Sequence, residues 1–132
     1  MFLLDTDTCV DVLRGVSPVV TKLAQQSPDD CRISAISVFE LRTGALLSAR
    51  PSSEQRKIDL FVAPFSVISF DSSNAKAGSE IRAALRLAGS SIGPYDLLIA
   101  AEAVRSACIL VTSNLAEFQR IPGLKVESWR SG

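Results

Sequence analysis

Short apolar segments alternate with helix-length segments along this chain, and this alternation is the feature that most limits its fold. Segments with the length and residue types of β-strands occur at 2–4, 32–34, 66–70, 108–111 and 125–127. Helices are predicted between them, at 6–14, 35–48, 53–61, 71–89, 94–106 and 114–120. Alternating strands and helices predict an α/β fold with a mostly parallel sheet covered on both faces.

The length of 132 residues predicts a single domain spanning 1–132. Hydrophobic residues make up 47% of the chain and charged residues 21%, which excludes a disordered or fibrous protein. No apolar run approaches the roughly 18 residues that a membrane span needs, and no signal-peptide pattern follows Met1. The three cysteines are widely spaced and form no CxxC motif, so we expect reduced thiols and a cytoplasmic location.

The chain has no histidine. This excludes Ser/His/Asp and Cys/His nucleophilic triads, histidine-based ribonuclease mechanisms and HExxH zinc sites. Any catalysis must therefore depend on carboxylates, metal ions, Lys, Arg or Cys.

Three carboxylates occupy unusual positions. Asp5 directly follows the first apolar strand, at its carboxyl end, where ligands bind in parallel α/β sheets. Glu40 is the only charged residue within 33–41, and Asp96 is the only one within 87–101. Because a lone carboxylate in an apolar segment is costly to bury, each needs an arginine or a cation as its partner.

Two further polar residues, Asn114 and Glu117, come just after the strand that ends at Val111. Together with the three carboxylates they predict a cleft lined by oxygen atoms, the ligands that Mg²⁺ or Mn²⁺ prefers. Taken singly, each acid has another explanation. Asp5 could cap a helix, Glu40 could pair with a basic side chain, and Asp96 could face a helix dipole.

The order of these segments resembles the PIN-domain nucleases, and more narrowly the VapC-type toxins of bacterial toxin–antitoxin pairs. The matching segments cover essentially the whole chain: LLDTD at 3–7 with LRG at 13–15, ISAISVFEL at 33–41 with GA at 44–45, IRAAL at 81–85 followed by IGPYD at 92–96 and IAA at 99–101, and VTSN at 111–114 with EF at 117–118 and VESW at 126–129.

The resemblance implies a three-layer α/β/α sandwich and a metal-dependent endoribonuclease. Its acidic positions fall on Asp5, Glu40 and Asp96, its fourth polar position, often Asp, on Asn114, and a further acid on Glu117. Asp5 and Asp96 would hold Mg²⁺, with Mn²⁺ as a substitute. The implied partners are an RNA substrate, a cognate antitoxin protein and a second copy of the chain in a homodimer.

The family also has small hydroxyl residues at the positions of Thr6 and Thr112. Asp7 stands where the family has Asn or Asp and is not counted in the site. Asn114 offers a neutral oxygen where an aspartate would offer a charge, so we expect one well-bound metal and a weaker second one. Four of the 14 acidic residues lie in this predicted pocket, so the rest of the surface is net basic, as RNA binding requires.

Three other functions fit parts of the pattern. The Asp5-Thr6-Asp7 motif is typical of haloacid-dehalogenase-like phosphatases, but these need a late acidic pair after the Val111-Thr112 strand, and this chain lacks one. A receiver-like signalling domain would leave Glu40 and Asp96 unexplained. It would use Asp5, Asp7, Asp71, Thr112 and Lys125. A PIN-like binding module without activity is the third alternative.

Overall fold

The computed structural model describes residues 1–130, and its central sheet contains only parallel strands in that part of the chain. The strands lie in the order β3-β2-β1-β4-β5. Their bounds are β1 Phe2–Leu4, β2 Cys31–Ser34, β3 Ser66–Ile68, β4 Ile109–Val111 and β5 Lys125–Glu127. The strand order reverses between β1 and β4, so the crevice at the carboxyl ends of these two strands is where a ligand is expected.

Seven α-helices connect the strands in residues 1–130: α1 Thr6–Leu13, α2 Ser17–Ala24, α3 Ala35–Leu46, α4 Pro51–Val62, α5 Ser72–Leu87, α6 Pro94–Ser106 and α7 Leu115–Phe118. A single 3-10 turn, Pro28–Asp30, precedes β2. Asp71 caps α5 by accepting a hydrogen bond from the backbone N–H of Asn74 at 3.0 Å, and Pro94 opens α6. Asp71 and Pro94 are also the first residues of the helices predicted at 71–89 and 94–106.

Helices cover both faces of the sheet, which confirms the predicted three-layer arrangement. Neighbouring residues of one strand point to opposite faces, so Leu3 and Leu4 of β1 enter different cores. Leu3 packs in a core with residues of α5 and α6, including Leu85 and Ile99. Leu4 packs in a second core that includes Val19 of α2.

Helix α2 is not predicted from the sequence, which gives no helix between 14 and the strand at 32. Gly15 and Pro18 are residue types typical of turns. The residue before the helix is Val16, whose side chain makes no capping hydrogen bond, so the usual polar start signal is missing. Other elements begin or end within two residues of their predicted bounds.

The structure also bears on the expectations about membrane spans and cysteines. No helix in residues 1–130 is both long and apolar enough to cross a bilayer. Cys9, Cys31 and Cys108 are all buried and unpaired.

Candidate active site

The site begins at the crevice between β1 and β4. Asp5, which follows β1, donates its backbone N–H to the carbonyl of Val111 at 3.0 Å. The Thr8 hydroxyl donates to the same carbonyl at 2.9 Å. These two bonds fasten the start of α1 to the end of β4 and fix where the Asp5 side chain stands.

Asp5 is 2% exposed and is held by hydrogen bonds from two threonines. The Thr8 backbone N–H donates to Oδ1 at 2.8 Å, so Asp5 caps α1. The hydroxyl of Thr112 also bonds the Asp5 side chain. Capping and a role in the site are therefore compatible, because a carboxylate can accept about four hydrogen bonds or ligands.

Glu40 reaches the same region from α3. The Thr6 hydroxyl donates to its Oε1 at 2.7 Å, and the oxygen atoms of Thr6 and Ser37 lie 2.9 Å apart. A hydroxyl has one proton to donate, so Thr6 gives its proton to the carboxylate and accepts one from Ser37. This relay orients Glu40 towards the first turn of α1.

Asn114 and Glu117 form a third side of the site. The Asn114 side-chain amide donates to Oε2 of Glu117, and the backbone N–H of Gly93 donates to Oε1 at 3.2 Å. Asn114 also donates its backbone N–H to the hydroxyl of Thr112 at 3.0 Å. Although Asn114 precedes α7, its side chain makes no capping bond, so it orients Glu117 instead.

Asp96 lies in the first turn of α6 and is half-buried. A methyl group added at Gly93 would lie 3.6 Å from its Oδ2, so the Gly93 backbone borders both Asp96 and Glu117. The ion pairs within residues 1–130 are Arg42–Asp59, Lys57–Glu54 and Arg130–Asp11. No basic side chain in this part of the chain pairs with Asp96, Asp5, Glu40 or Glu117.

The electrostatics show that the predicted acids converge. Burial and, after it, the charges of Asp5, Glu117, Asp7 and Glu40, in that order, together raise the pKa of Asp96 to about 6. Burial also raises the pKa of Asp5 to about 6, although the hydrogen bonds from Thr112 and Thr8 oppose the shift. Carboxylates that raise the pKa of a neighbouring carboxyl and have no basic partner favour a bound cation.

The donor set fits a hard divalent cation. No three His, Cys, Asp or Glu side chains of residues 1–130 enclose a metal position by themselves. Mg²⁺ does not require this, because it keeps several waters and binds through one or two carboxylates. Asp5 and Asp96, surrounded by Glu40 and Glu117, supply such a set of oxygen ligands.

Some residues of this site were not identified from the sequence. Thr8 and Ser37 hold Asp5 and Glu40 through hydrogen bonds, and Gly93 holds Glu117 through its backbone. Asp7 is exposed, yet its charge acts on both Asp5 and Asp96. A hydroxyl residue one helical turn from an acid was the available signal for Thr8 and Ser37, whereas a backbone donor has no sequence signal.

The fold and the site define an α/β protein with a cluster of carboxylates at the switch point of a parallel sheet. Comparison with known proteins makes the class of protein specific, because the PIN domain family model matches residues 2–124. The chain therefore belongs to the PIN domain family. Within that family it belongs with the VapC-type proteins, as the curated and solved relatives below show.

The relatives are similar over nearly their whole length. The tRNA(fMet)-specific endonuclease VapC of Salmonella typhimurium is 34% identical over 128 residues, 97% of each chain. Ribonuclease VapC2 of Rickettsia felis is 33% identical over 131 residues, 98% of each chain. The crystal structure of DNA-bound VapBC from Salmonella typhimurium superimposes with a TM-score of 0.92 at 33% identity, covering 97% of both chains. This family assignment replaces the phosphatase and receiver interpretations.

Proposed function

We propose that this chain is a metal-dependent endoribonuclease toxin that hydrolyses RNA phosphodiester bonds at its acidic cluster. The observation that carries the proposal is the convergence of Asp5, Glu40, Asp96 and Glu117, with no basic side chain of residues 1–130 paired to them. The names of the VapC relatives support the same reaction class.

We assign Asp5 and Asp96 as the carboxylates that hold the cation, with Mg²⁺ as the physiological ion and Mn²⁺ as a substitute. A bound divalent cation supplies Lewis-acid chemistry, activating water and neutralising charge on the phosphate. Thr8 and Thr112 fix the Asp5 carboxylate, so little side-chain freedom is lost when the ion binds.

Glu40, Asn114 and Glu117 orient water and the substrate phosphate. Thr6 occupies only Oε1 of Glu40, which leaves Oε2 free to accept a proton from water. Both oxygens of Glu117 accept hydrogen bonds, from Gly93 and Asn114, so the Glu117 carboxylate is held in one orientation. Hydrolysis by water needs no histidine, in agreement with the composition.

We infer that a cognate antitoxin inhibits the enzyme. The solved relatives from Salmonella typhimurium and Rickettsia felis are VapBC complexes bound to DNA. In this chain a cavity of about 520 Å³ opens beside Glu40, and its wall includes Leu41, Ala45 and Ile58. An antitoxin segment could lie there and direct an Arg or Lys side chain into the acidic cluster in place of the cation.

We also propose a homodimer in the cytoplasm. Phe39 and Tyr95 are 52% and 45% exposed, and their ring centroids lie 5.6 Å apart. Leu87, at the end of α5, is 90% exposed. Exposed apolar side chains of this size favour contact with another protein surface. Light scattering on the purified chain measures the mass of the dimer directly. For a cytoplasmic protein we expect the cysteines of the isolated protein to be reduced.

The reaction is tested by incubating the purified chain with a pool of structured RNAs, with Mg²⁺ or with a chelator. We expect discrete cuts that need the metal and that disappear in Asp96→Asn. Absence of cleavage by a folded, metal-loaded wild type would favour an inactive binding module.

The toxin assignment has its own test in bacteria. Overproduction of the wild-type chain alone should stop growth, whereas overproduction of Asp5→Ala should not. Co-production of the antitoxin should restore growth of the wild-type strain. Equal toxicity of wild type and Asp5→Ala would show that the acidic cluster does not cause the growth arrest.

A further inference from the structure

A second cavity, of about 320 Å³, lies between the C-terminal part of α5 and the start of α6. The loop between these helices forms its rim through Ser90 and Ser91. Its volume is at the lower end of the range for small-molecule sites, and it is large enough for one nucleobase with its sugar. Neither the acidic cluster nor the cavity beside Glu40 includes its lining residues.

The lining combines positive charge with an apolar surface. Arg82 and Arg86 are one helical turn apart on α5, so their side chains lie on the same face of the helix. Both are exposed, and neither forms an ion pair within residues 1–130. Leu85, Ile92 and Leu97 contribute the apolar side of the cavity. Guanidinium groups bind phosphate through paired N–H donors, and an apolar surface accepts the face of a base.

The cavity and the acidic cluster share the loop before α6. Ile92 and Pro94 line the cavity. Gly93, between them, donates its backbone N–H to Glu117 at 3.2 Å and borders Asp96. Arg120 also fastens this loop, by donating to the carbonyl of Ser91 at 3.2 Å. A strand of RNA at the acidic cluster can therefore cross this loop to the cavity.

RNA binding at this cluster has an electrostatic cost that the cavity offsets. The chain has no net charge, and the catalytic carboxylates repel a polyanion until the cation is present. The guanidinium groups of Arg82 and Arg86, which form no ion pair within residues 1–130, supply attraction for RNA at the neighbouring cavity.

We propose that this cavity binds one nucleotide of the RNA substrate beside the scissile bond, with a phosphate on Arg82 and Arg86 and the base against Leu85, Ile92 and Leu97. The inference rests on the proposed ribonuclease function for the identity of the ligand. It adds a place where the enzyme holds, and selects, a nucleotide that it does not cleave.

The test measures binding separately from cleavage. The probe is a fluorescent single-stranded RNA of mixed sequence, titrated in chelator so that no cleavage occurs. The titrations start at low ionic strength, where the attraction of Arg82 and Arg86 for RNA is strongest and can exceed the repulsion from the metal-free carboxylates. The test variant is Arg82→Ala/Arg86→Ala. Its matched control is Arg50→Ala/Arg56→Ala, which removes the same charge from α4 and its start, outside the cavity. Arg82→Lys/Arg86→Lys keeps the charge but loses the forked donor.

We expect the test variant to bind the RNA about tenfold more weakly or worse, as the loss of charge-assisted hydrogen bonds requires. The control should stay within about twofold of wild type. The slope of log affinity against log salt should fall by about 0.7, which corresponds to one neutralised phosphate on single-stranded RNA. The lysine variant should keep the wild-type slope and recover part of the affinity.

Several results would overturn the inference: no RNA binding by wild type, equal binding by the test and control variants, or loss of binding together with a halved mass in light scattering. The last result would assign the cavity to contact with a second copy of the chain. Wild type that binds but never cuts in Mg²⁺ would contradict the proposed function and leave this inference intact, provided that the test variant alone loses binding.

Discussion

Helix α6 carries two carboxylates in very different surroundings. Asp96, in its first turn, is half-buried, and four other acids raise its pKa together with burial. Glu102, in its middle, is fully buried, accepts a hydrogen bond from the Ser34 hydroxyl at 2.5 Å, and has an Oε2 atom without a hydrogen-bond partner. Burial raises the pKa of Glu102 to about 7, and Asp71 is the only acid that adds to the shift.

The comparison shows that burial alone does not make a cation site. An isolated buried carboxyl avoids its charge by keeping a proton. Several carboxylates facing one another at an open crevice cannot all do so near neutral pH, and a cation stabilises them together. We therefore propose that the cation binds at Asp96 and its neighbours and that Glu102 has a structural role.

The largest expected effect is at Asp96. Asp96→Asn should reduce RNA cleavage by about 10³-fold, because it removes a negative charge that holds the cation where it stabilises the transition state. The metal-free variant should be as thermally stable as wild type or more so, since one source of carboxylate repulsion is gone. Cleavage assays and thermal melts in chelator measure the two effects. Full activity, or an unfolded protein, would refute the assignment.

Glu102 should affect stability and not chemistry. Its folded pKa of about 7 lies above the ordinary value of 4.5, so the protonated form stabilises the fold below pH 4.5. That stability is lost as the pH rises through 7. Because Asp5 and Asp96 titrate in the same region, only a difference between variants isolates Glu102.

Glu102→Gln should therefore gain stability relative to wild type, by about 3 kcal/mol between pH 4.5 and pH 8. Urea unfolding across this pH range gives the difference. Glu80→Gln, an exposed acid of α5, is the control and should follow wild type at every pH. A constant difference between Glu102→Gln and wild type would mean that Glu102 is charged throughout.

A smaller effect is expected at Thr6, which touches the site only through Glu40. Thr6→Val removes the hydroxyl that orients this carboxylate while keeping its shape, and should lower kcat by about tenfold. Thr6→Ser keeps the hydroxyl and should retain most of the activity. The measurement is the ratio of the two kcat values. Equal values would mean that the Thr6 hydroxyl does not orient Glu40 for catalysis.

The smallest effect is expected at Asn114. Asn114→Asp adds a charge near the cation and should tighten Mg²⁺ binding by about fivefold, while its repulsion of Glu117 lowers metal-free stability. Asn114→Ala should reduce activity because Glu117 loses its donor. Metal titrations and melts of both variants test this. Identical metal affinities, with only the stability of Asn114→Ala changed, would reduce Asn114 to a structural residue.

The strands and the acids of the cluster could be predicted from the sequence because both leave short-range signals. Strands β1 and β4 are uninterrupted apolar runs. Asp5 is the first polar residue after an apolar strand, and Asp96 is a lone charge within an apolar segment. The same argument applies equally to Glu102, which is the only charged residue in 97–104. Glu102 ends the apolar segment 87–101 around Asp96, and it was not predicted to be a buried acid. Sequence alone does not distinguish an acid that joins a cluster from one buried alone, because the neighbours come from other elements.

Hydrogen-bond partners and cavities were also beyond the sequence. Ser34 meets Glu102 across 68 residues of chain, and the cavity with Arg82 and Arg86 exists only because α5 and α6 pack side by side. Which arginines could face RNA was therefore not decided by composition. Their placement depends on helix rotation, which tertiary packing sets.

We propose that the acidic cluster binds the cation and that the buried carboxyl of Glu102 does not. Calorimetric titration of Mg²⁺ into wild type, Asp96→Asn and Glu102→Gln at pH 7.5 tests this proposal. We expect Glu102→Gln to bind Mg²⁺ like wild type and Asp96→Asn to bind it at least about tenfold more weakly. Equal Mg²⁺ affinity in wild type and Asp96→Asn, or a loss confined to Glu102→Gln, would contradict it.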